Sequence, residues 1–247
     1  MLQIVLVAFN NLNQVQKTIQ SLELIHIPYE VLIVDSSTDS LVRNFCSQIQ
    51  KFRVKYIWEE KNGIYHAMNT GWKNCQPTDL VWYLNPGDFL HSGESLEKLA
   101  RGIETSGAVW GFAQAIPGGD QNSIFPPALA EITSMGLHKG ILSISHQAIL
   151  VQRKELQRLG GFNERYQIAA DLDLEFKLLT SSTGYFEKSP LVDVDIHGLS
   201  HKKVVRTLYE SAVVRRKNNF LSSWGATIWF IAKISHKVLI NLRNRIQ

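Results

Sequence analysis

Cysteine is scarce: Cys46 and Cys75 are the only two in 247 residues. They are too few for a disulfide framework and have no metal-ligating neighbours, so both are expected to be reduced and structural, as suits the cytosol. No G-x-G-x-x-G follows the first apolar run, which continues as AFNNLN, and no G-x-x-x-x-G-K-[ST] occurs. Their absence excludes the glycine turn of a dinucleotide site and the phosphate cradle of a P-loop. Long apolar runs are missing as well. The charge-free run FLSSWGATIWFIA (220–232) has thirteen residues, where a bilayer span needs about 20. The opening MLQIVLVAFNNLN has no basic n-region and only a short apolar stretch, so it reads as a first strand and not a signal peptide.

The composition that is present, 45% hydrophobic and 19% charged, is that of an ordinary globular protein. A chain of this length makes one large domain or two small ones. The net charge of +4 hides an asymmetry. From His201 to Gln247 there are ten Lys or Arg against Glu210 alone, which leaves residues 1–200 with 16 basic and 21 acidic groups. An acidic body joined to a basic tail says little about the ligand of the body. With no recognition module in view, nucleic acid is not the expected partner.

Strand and helix patterns alternate over the first hundred residues. LQIVLVAF (2–9) is continuous and apolar, as in a strand buried on both faces. Leu12, Val15, Ile19 and Leu22 follow at helical spacing. EVLIVD (30–35), VKYIWEE (54–60) and DLVWYL (79–84) are further strands, with helices expected near 39–50, 63–75 and 93–104. Such alternation implies right-handed crossovers and a mainly parallel sheet. Beyond residue 105 the pattern becomes mixed: AVWGFAQAI and SHQAILV read as strands, 117–140 as a Gly/Pro-rich loop, DLDLEFKLLT (171–180) as a helix and Tyr185–Asp195 as extended.

One consequence is geometric. VWYLNPGDFL (81–90) runs from a buried strand into a tight turn, where Pro86 fixes φ and Gly87 tolerates a positive one. That turn ends on Asp88. Asp35 ends the second strand and Glu59 and Glu60 the third, so several acidic and amide side chains share the carboxyl rim, where open α/β sheets bind ligands. To hold a phosphate ester, an anionic rim needs a divalent cation, and Mg²⁺ or Mn²⁺ prefers such hard oxygen ligands.

The stretches VDSSTD, EKNGIYHAMNTGW, YLNPGDF, SHQAIL, AADLDLEFKL and HGLS, in that order over residues 2–200, resemble family-2 glycosyltransferases of the GT-A fold, in particular small bacterial enzymes of polysaccharide and glycolipid assembly. The resemblance implies an α/β fold with a mixed, mainly parallel sheet flanked by helices. It implies that Asp88 holds a metal, Mn²⁺ or Mg²⁺, that bridges the donor's diphosphate, with Asn85 in the first position of the DxD-type motif. Asp35 would read the nucleobase beside Ala8 and Asn10, and Gly63 and Asn69 would line the nucleotide and sugar site. Asp171 would be the catalytic base of an inverting transfer, with Asp173 competing for that role. His146 and Gln147 would lie near the acceptor or diphosphate, and His197 would be a further metal ligand. Lys61 and His66 depart from the family pattern, which has Asp at both places.

The expected boundaries are a catalytic domain over 1–202 and a basic helical tail over 203–247. On a helical wheel Trp224, Ile228, Ile231, Val238 and Leu239 share one face, with Lys233 and Lys237 opposite. That pattern suits an interfacial helix on anionic lipid. The expected picture is a cytoplasmic enzyme, peripheral on the inner face of the membrane. It would pass a sugar from a nucleotide-sugar donor, a UDP-sugar first among them, to a lipid-linked or other glycan. The rival readings are an inactive membrane-associated scaffold and another metal-dependent nucleotide-sugar enzyme. Neither the sugar nor the oligomeric state is legible.

Overall fold

A computed structural model describes residues 1–120, 123–125, 144–196, 203–218, 221–222 and 225–233. His197, with its HGLS stretch, and most of the expected 117–140 loop lie outside the described residues.

Eight strands form one sheet in the order β3-β2-β1-β4-β7-β6-β8-β5. These are β1 (Leu2–Ala8), β2 (Tyr29–Asp35), β3 (Arg53–Trp58), β4 (Leu80–Tyr83), β5 (Phe89–Leu90), β6 (Trp110–Pro117), β7 (Ile149–Gln152) and β8 (Tyr185–Val194). The first four pair in parallel, β3 on β2, β2 on β1 and β1 on β4. β7 then runs antiparallel between β4 and β6, and β6 pairs with β8 in parallel. The short β5 closes the edge antiparallel to β8. The alternation over 1–84 therefore maps onto the parallel half, and the mixed pattern beyond residue 105 onto the half that holds the antiparallel pairings together with the parallel β6–β8 pair.

Helices α1 (Leu12–Ser21), α2 (Leu41–Gln48) and α4 (Gly93–Ser106) cover one face of the sheet. Helices α3 (Ile64–Lys73), α5 (Arg153–Leu159) and α6 (Ala170–Ser181) cover the other. β1 faces both layers: Ile4 and Leu6 point into the first and Val5 into the second, each almost wholly buried. That is why the strand reads as an unbroken apolar run. Trp82 and Tyr83 are core residues, as expected for the strand before the Pro-Gly turn.

Two features differ from the sequence expectation. SHQAILV begins as a 3₁₀ turn over His146–Ala148 before β7 starts, so His146 and Gln147 face the rim and not the ladder. Helix α7 (Val204–Lys217) is no separate tail: Val214 packs with Ala169 and Phe176 of the α6 region, and Glu210, Ala212 and Arg215 are buried. An amphipathic helix buries its apolar stripe wherever a complementary face is available, and the α6 region supplies one. The core thus continues past residue 203. The last helix among the described residues, α8 (225–233), carries exposed Ile228 and Ile231, while Trp224, Val238 and Leu239 of the expected lipid face lie outside the described residues.

Helix α4 is anchored at its start by Ser92, whose Oγ accepts from Ser95 N at 3.2 Å. Next to that cap, a Cβ on Gly93 would stand 1.9 Å from the carbonyl oxygen of Leu24. Backbone cannot rotate away as a side-chain tip can. Gly93→Ala is therefore expected to cost about 1–3 kcal/mol by overpacking, read as a lower midpoint in urea unfolding with an unchanged slope.

Candidate active site

The turn after β4 places Asp88 at the carboxyl rim. Gly87 has φ +105°, a backbone conformation that strongly favours glycine. Thr18 of α1 holds the turn in place. Its Oγ1 accepts from Gly87 N at 2.9 Å and donates to Asp88 O at 2.8 Å. The Asp88 side chain turns inward and the residue is only 2% exposed. Oδ1 accepts from Asp195 N at 2.8 Å, and Oδ2 from Gln147 Nε2 at 3.0 Å and Asn85 N at 3.2 Å. Burial pushes its pKa above the ordinary carboxylate value, opposed by these donors and by the nearby His146.

From this turn a line of polar contacts crosses the rim. Asn85 Nδ2 lies 3.2 Å from His146 Nε2, and His146 Nδ1 lies 3.3 Å from Asp171 Oδ2. If the amide donates to Nε2, the ring proton sits on Nδ1, facing the carboxylate. Asp171 Oδ1 accepts from Leu172 N at 2.8 Å and lies 3.3 Å from Tyr65 OH, which donates to Ile168 O at 2.5 Å. Burial, then the Asp171 charge, pushes the Tyr65 hydroxyl well above its ordinary value, so it remains a donor. The Asp171 side chain is 27% exposed, so a ligand at the rim can reach it. Asp173, by contrast, is turned inward: it is 1% exposed, with Oδ2 2.9 Å from Lys177 Nζ and Oδ1 accepting from Asn218 Nδ2 at 3.3 Å.

A second cluster lies at the ends of β1 and β2. Ala8 O accepts from Ser36 N at 3.0 Å. Asn10, with the positive φ of +52°, donates its N–H to Ser37 Oγ at 2.8 Å and accepts from Thr38 N at 2.9 Å. Asp35 is fully buried beneath this knot. Its Oδ1 accepts from Ser37 N at 2.9 Å and Ser37 Oγ at 2.5 Å, and its Oδ2 from Tyr56 OH at 2.8 Å. Beside the exposed Asn10 and Thr38, two aromatic rings face solvent here: Phe9 is 39% and Trp58 56% exposed, and Trp58 Nε1 donates to Ser37 O at 3.2 Å. Lys61 Nζ sits 3.8 Å above the Phe9 ring, so the departure from the family pattern puts a cation on this aromatic floor.

Gly63, at φ +95°, turns the chain into α3. Asn69 lies further along that helix, 4% exposed, and all its contacts are internal. Nδ2 donates to Phe162 O at 2.9 Å and Glu164 Oε1 at 2.7 Å, while Oδ1 accepts from Phe162 N and Trp72 Nε1, both at 2.9 Å. Glu164 also meets His66 Nδ1 at 3.0 Å. The other departure thus gives a basic partner to an acid in the loop that Asn69 clamps. Asp88, Asn85, His146, Gln147 and Asp171 are brought together; Ala8, Asn10 and Asp35 form the neighbouring cluster, and Asn69 sits below the rim.

Among the described residues no group of three or more His, Cys, Asp and Glu is gathered to hold a metal. The donor chemistry of the turn nevertheless fits a hard cation. A carboxylate has about four acceptor sites, three of which are used on Asp88, and the Asp195 carboxylate reaches within 3.3 Å of where a Cβ on Gly87 would stand. Mg²⁺ and Mn²⁺ commonly take one or two carboxylates and complete their shell with water and substrate phosphates. Thr18, Tyr65, Glu164 and Asp195 were not singled out from sequence. Only Tyr65 carried a signal, as an aromatic with a polar tip inside the GIYHAMN stretch.

A family model described as Glycosyl transferase family 2 matches residues 3–156. An uncharacterized glycosyltransferase of Rickettsia conorii is 23% identical over 219 residues, covering 83% of this chain and 35% of that protein. One from Rickettsia felis is 23% identical over 222 residues, covering 83% and 36%. The chain thus spans about a third of the length of the curated relatives it matches. Among solved structures, S. aureus TarS 1–349 in complex with UDP is similar with a TM-score of 0.69 at 16% identity, covering 88% of this chain and 65% of that one. The mannosyltransferase PcManGT from Pyrobaculum calidifontis, in complex with GDP-Man and Mn²⁺, has a TM-score of 0.64 at 13% identity, covering 96% and 75%. These likenesses show the GT-A fold.

Replacing Asn69 by Ala would strand the N–H of Phe162 and the indole of Trp72 and release Glu164. At about 1–3 kcal/mol for an unmet buried group, a loss of about 3 kcal/mol is expected. That corresponds to a fall in melting temperature of about 6–12 °C for a domain of this size, read by differential scanning fluorimetry. A shift below about 2 °C would mean that the 161–164 loop is held by something else.

Proposed function

The chain belongs to glycosyl transferase family 2, and on that premise we propose that it is a metal-dependent, inverting glycosyltransferase that moves a sugar from a nucleotide-sugar donor to a hydroxyl of a glycan acceptor. The observation that carries this reading is the line from Asp88 through Asn85 and His146 to Asp171, on the rim where open α/β sheets bind ligands.

In this reading the aromatic floor of Phe9 and Trp58 takes the nucleobase beside Ala8 and Asn10, and Asp35 acts from beneath by holding Ser37. Gly63 opens α3 toward the sugar. Asn69 acts indirectly, by fixing the loop that carries Glu164. A cation held by Asp88, with Asp195 nearby and His197 as a further candidate ligand, would neutralise the diphosphate leaving group. Gln147 and Asn85 orient the Asp88 carboxylate. Asp171, partly exposed at the rim, takes the proton of the acceptor hydroxyl, and His146 holds its second oxygen. One carboxylate acting as base, without a partner nucleophile, implies a single displacement with inversion. The scaffold alternative finds no support in relatives that are themselves named glycosyltransferases.

We also propose that the acceptor is lipid-linked, within polysaccharide or glycolipid assembly, and that the enzyme works at an anionic membrane surface. Among the described residues no helix is long and apolar enough to cross a membrane. Support comes from exposed Val205, Tyr209, Ile228 and Ile231 together with exposed Lys203, Arg216, Lys217 and Lys233. Basic residues close to anionic lipid contribute about 1 kcal/mol each.

Thermal stabilisation by UDP, GDP and dTDP, each with and without Mn²⁺, tests the donor site. One nucleotide is expected to stabilise the wild type in a Mn²⁺-dependent way. Asp88→Asn, which keeps the shape and loses the charge, should abolish that gain. No shift with any nucleotide would overturn the donor reading. Asp171→Asn should leave that binding intact while lowering turnover by about 10²- to 10⁴-fold, the usual contribution of a general base, measured as nucleoside diphosphate released.

A further inference from the structure

Helix α6, which presents Asp171, starts without a cap of its own. Its N-cap residue is Ala169, whose side chain cannot accept a capping hydrogen bond, and the only amide that the Asp171 side chain meets is that of Leu172. The backbone N–H groups of Gln167, Ile168 and Ala169 nevertheless converge on one point. Successive amides arranged this way make a concave anion site, and leaving them unmet in a buried position would be costly.

The occupant comes from α7. Glu210 Oε2 accepts from Gln167 N at 3.0 Å, Ile168 N at 2.8 Å and Ala169 N at 3.2 Å. Oε1 accepts from Gln167 N at 3.2 Å and Arg206 Nε at 2.9 Å. Glu210 is 4% exposed. Burial opposes its ionised form, but Arg206 and the three amides outweigh burial and hold its pKa below the ordinary glutamate value. Arg206 is one turn away on α7 itself, so that ion pair fastens nothing to α6; the link between the helices is the carboxylate directed into the backbone just before the proposed base.

The contact continues to the rim. Ile168, gripped at its N–H by Glu210, is gripped at its carbonyl by Tyr65 OH, which lies 3.3 Å from Asp171 Oδ1. Further along, the Arg215 guanidinium of α7 lies 5.6 Å from the Phe176 ring of α6 and 4.7 Å from the Trp229 ring of α8. Arg215 also interacts with the buried Glu175, one turn beyond Asp171. α7 therefore meets α6 along its length, and its single acidic side chain is the one at the end that matters for chemistry.

We infer that Glu210 is a positioning residue for Asp171: docked on the amides of residues 167–169, it fixes the start of α6 and so the place of the Asp171 carboxylate at the rim. The inference rests on the reading of Asp171 as the base, and it makes α7 part of the transfer machinery.

The test uses the full chain as Glu210→Ala, Glu210→Gln and Ser211→Ala, the last at a half-buried site next to Glu210 on the same helix. The nucleotide identified by thermal stabilisation supplies the donor, with turnover and donor KM counted per folded molecule from the stoichiometry of nucleotide binding. For Glu210→Ala, kcat should fall about 10- to 100-fold, the scale of a misplacement of about 1 Å, with donor KM within about two-fold because the nucleotide cluster is untouched. Glu210→Gln, which keeps one oxygen for the amides, should recover part of that loss, and Ser211→Ala should match the wild type. Turnover of Glu210→Ala within about two-fold of wild type per folded molecule would overturn the inference whatever its melting temperature, leaving Glu210 as an anchor only. Asp171→Asn in parallel separates the two failures. Wild-type turnover there sinks the base reading and this inference with it, whereas an inactive Asp171→Asn beside a fully active Glu210→Ala sinks this inference alone.

Discussion

The burial of the Asp88 carboxylate is the constraint on which the rim is organised. A charge taken out of water must be met by donors or it neutralises. Its three donors come from three separate parts of the chain: Asn85 in its own turn, Gln147 in the 3₁₀ turn before β7, and Asp195 just past β8. Satisfying one side chain therefore draws together the end of the parallel half-sheet and two segments of the other half. Once Gln147 is committed to Asp88, its neighbour His146 stands between Asn85 and Asp171. The proposed leaving-group site and the proposed base are thus placed relative to each other through a shared turn.

The same logic recurs at the start of α6. Three successive buried amides just before the helix, those of residues 167–169, need an anion. The chain supplies it as Glu210, 41 positions beyond Ala169. The consequence is that a basic segment, which in isolation resembles an accessory tail, is tied to the start of α6 by its lone acidic residue. Hydrophobic burial of Val214 against Ala169 and Phe176 adds to that tie. Exposed Val205, Tyr209, Ile228 and Ile231 are left over from this docking, which supports a second use for the opposite surface.

Lys61 and His66 are intelligible in place. Lys61 covers the ring of Phe9 at the nucleotide side, and His66 pairs with Glu164 in the loop that Asn69 clamps. Neither contact strands a buried charge. Both exchanges replace an anion with a basic group beside acidic or aromatic partners, so the fold accommodates them without a compensating change in the core.

The parallel strands, their helices and the Pro-Gly turn before Asp88 were legible because they rest on local periodicity and backbone stereochemistry. The motif residues Asp88, Asn85, His146, Gln147 and Asp171 were legible by their resemblance to a family pattern. Whether Asp171 or Asp173 faces the rim was not, because two carboxylates two residues apart differ only in which neighbours they meet. Tertiary contacts bury Asp173 against Lys177 and Asn218 and leave Asp171 open. The internal use of Asn69 and the docking of Glu210 were equally hidden. Each is a hydrogen bond to backbone far along the chain, and backbone amides leave no mark in the sequence. Local pattern thus determined which elements form and which carboxylates end them. Only the folded arrangement decided which of those groups are satisfied inside and which remain free at the rim, because satisfaction depends on partners that proximity in space, and not in sequence, supplies.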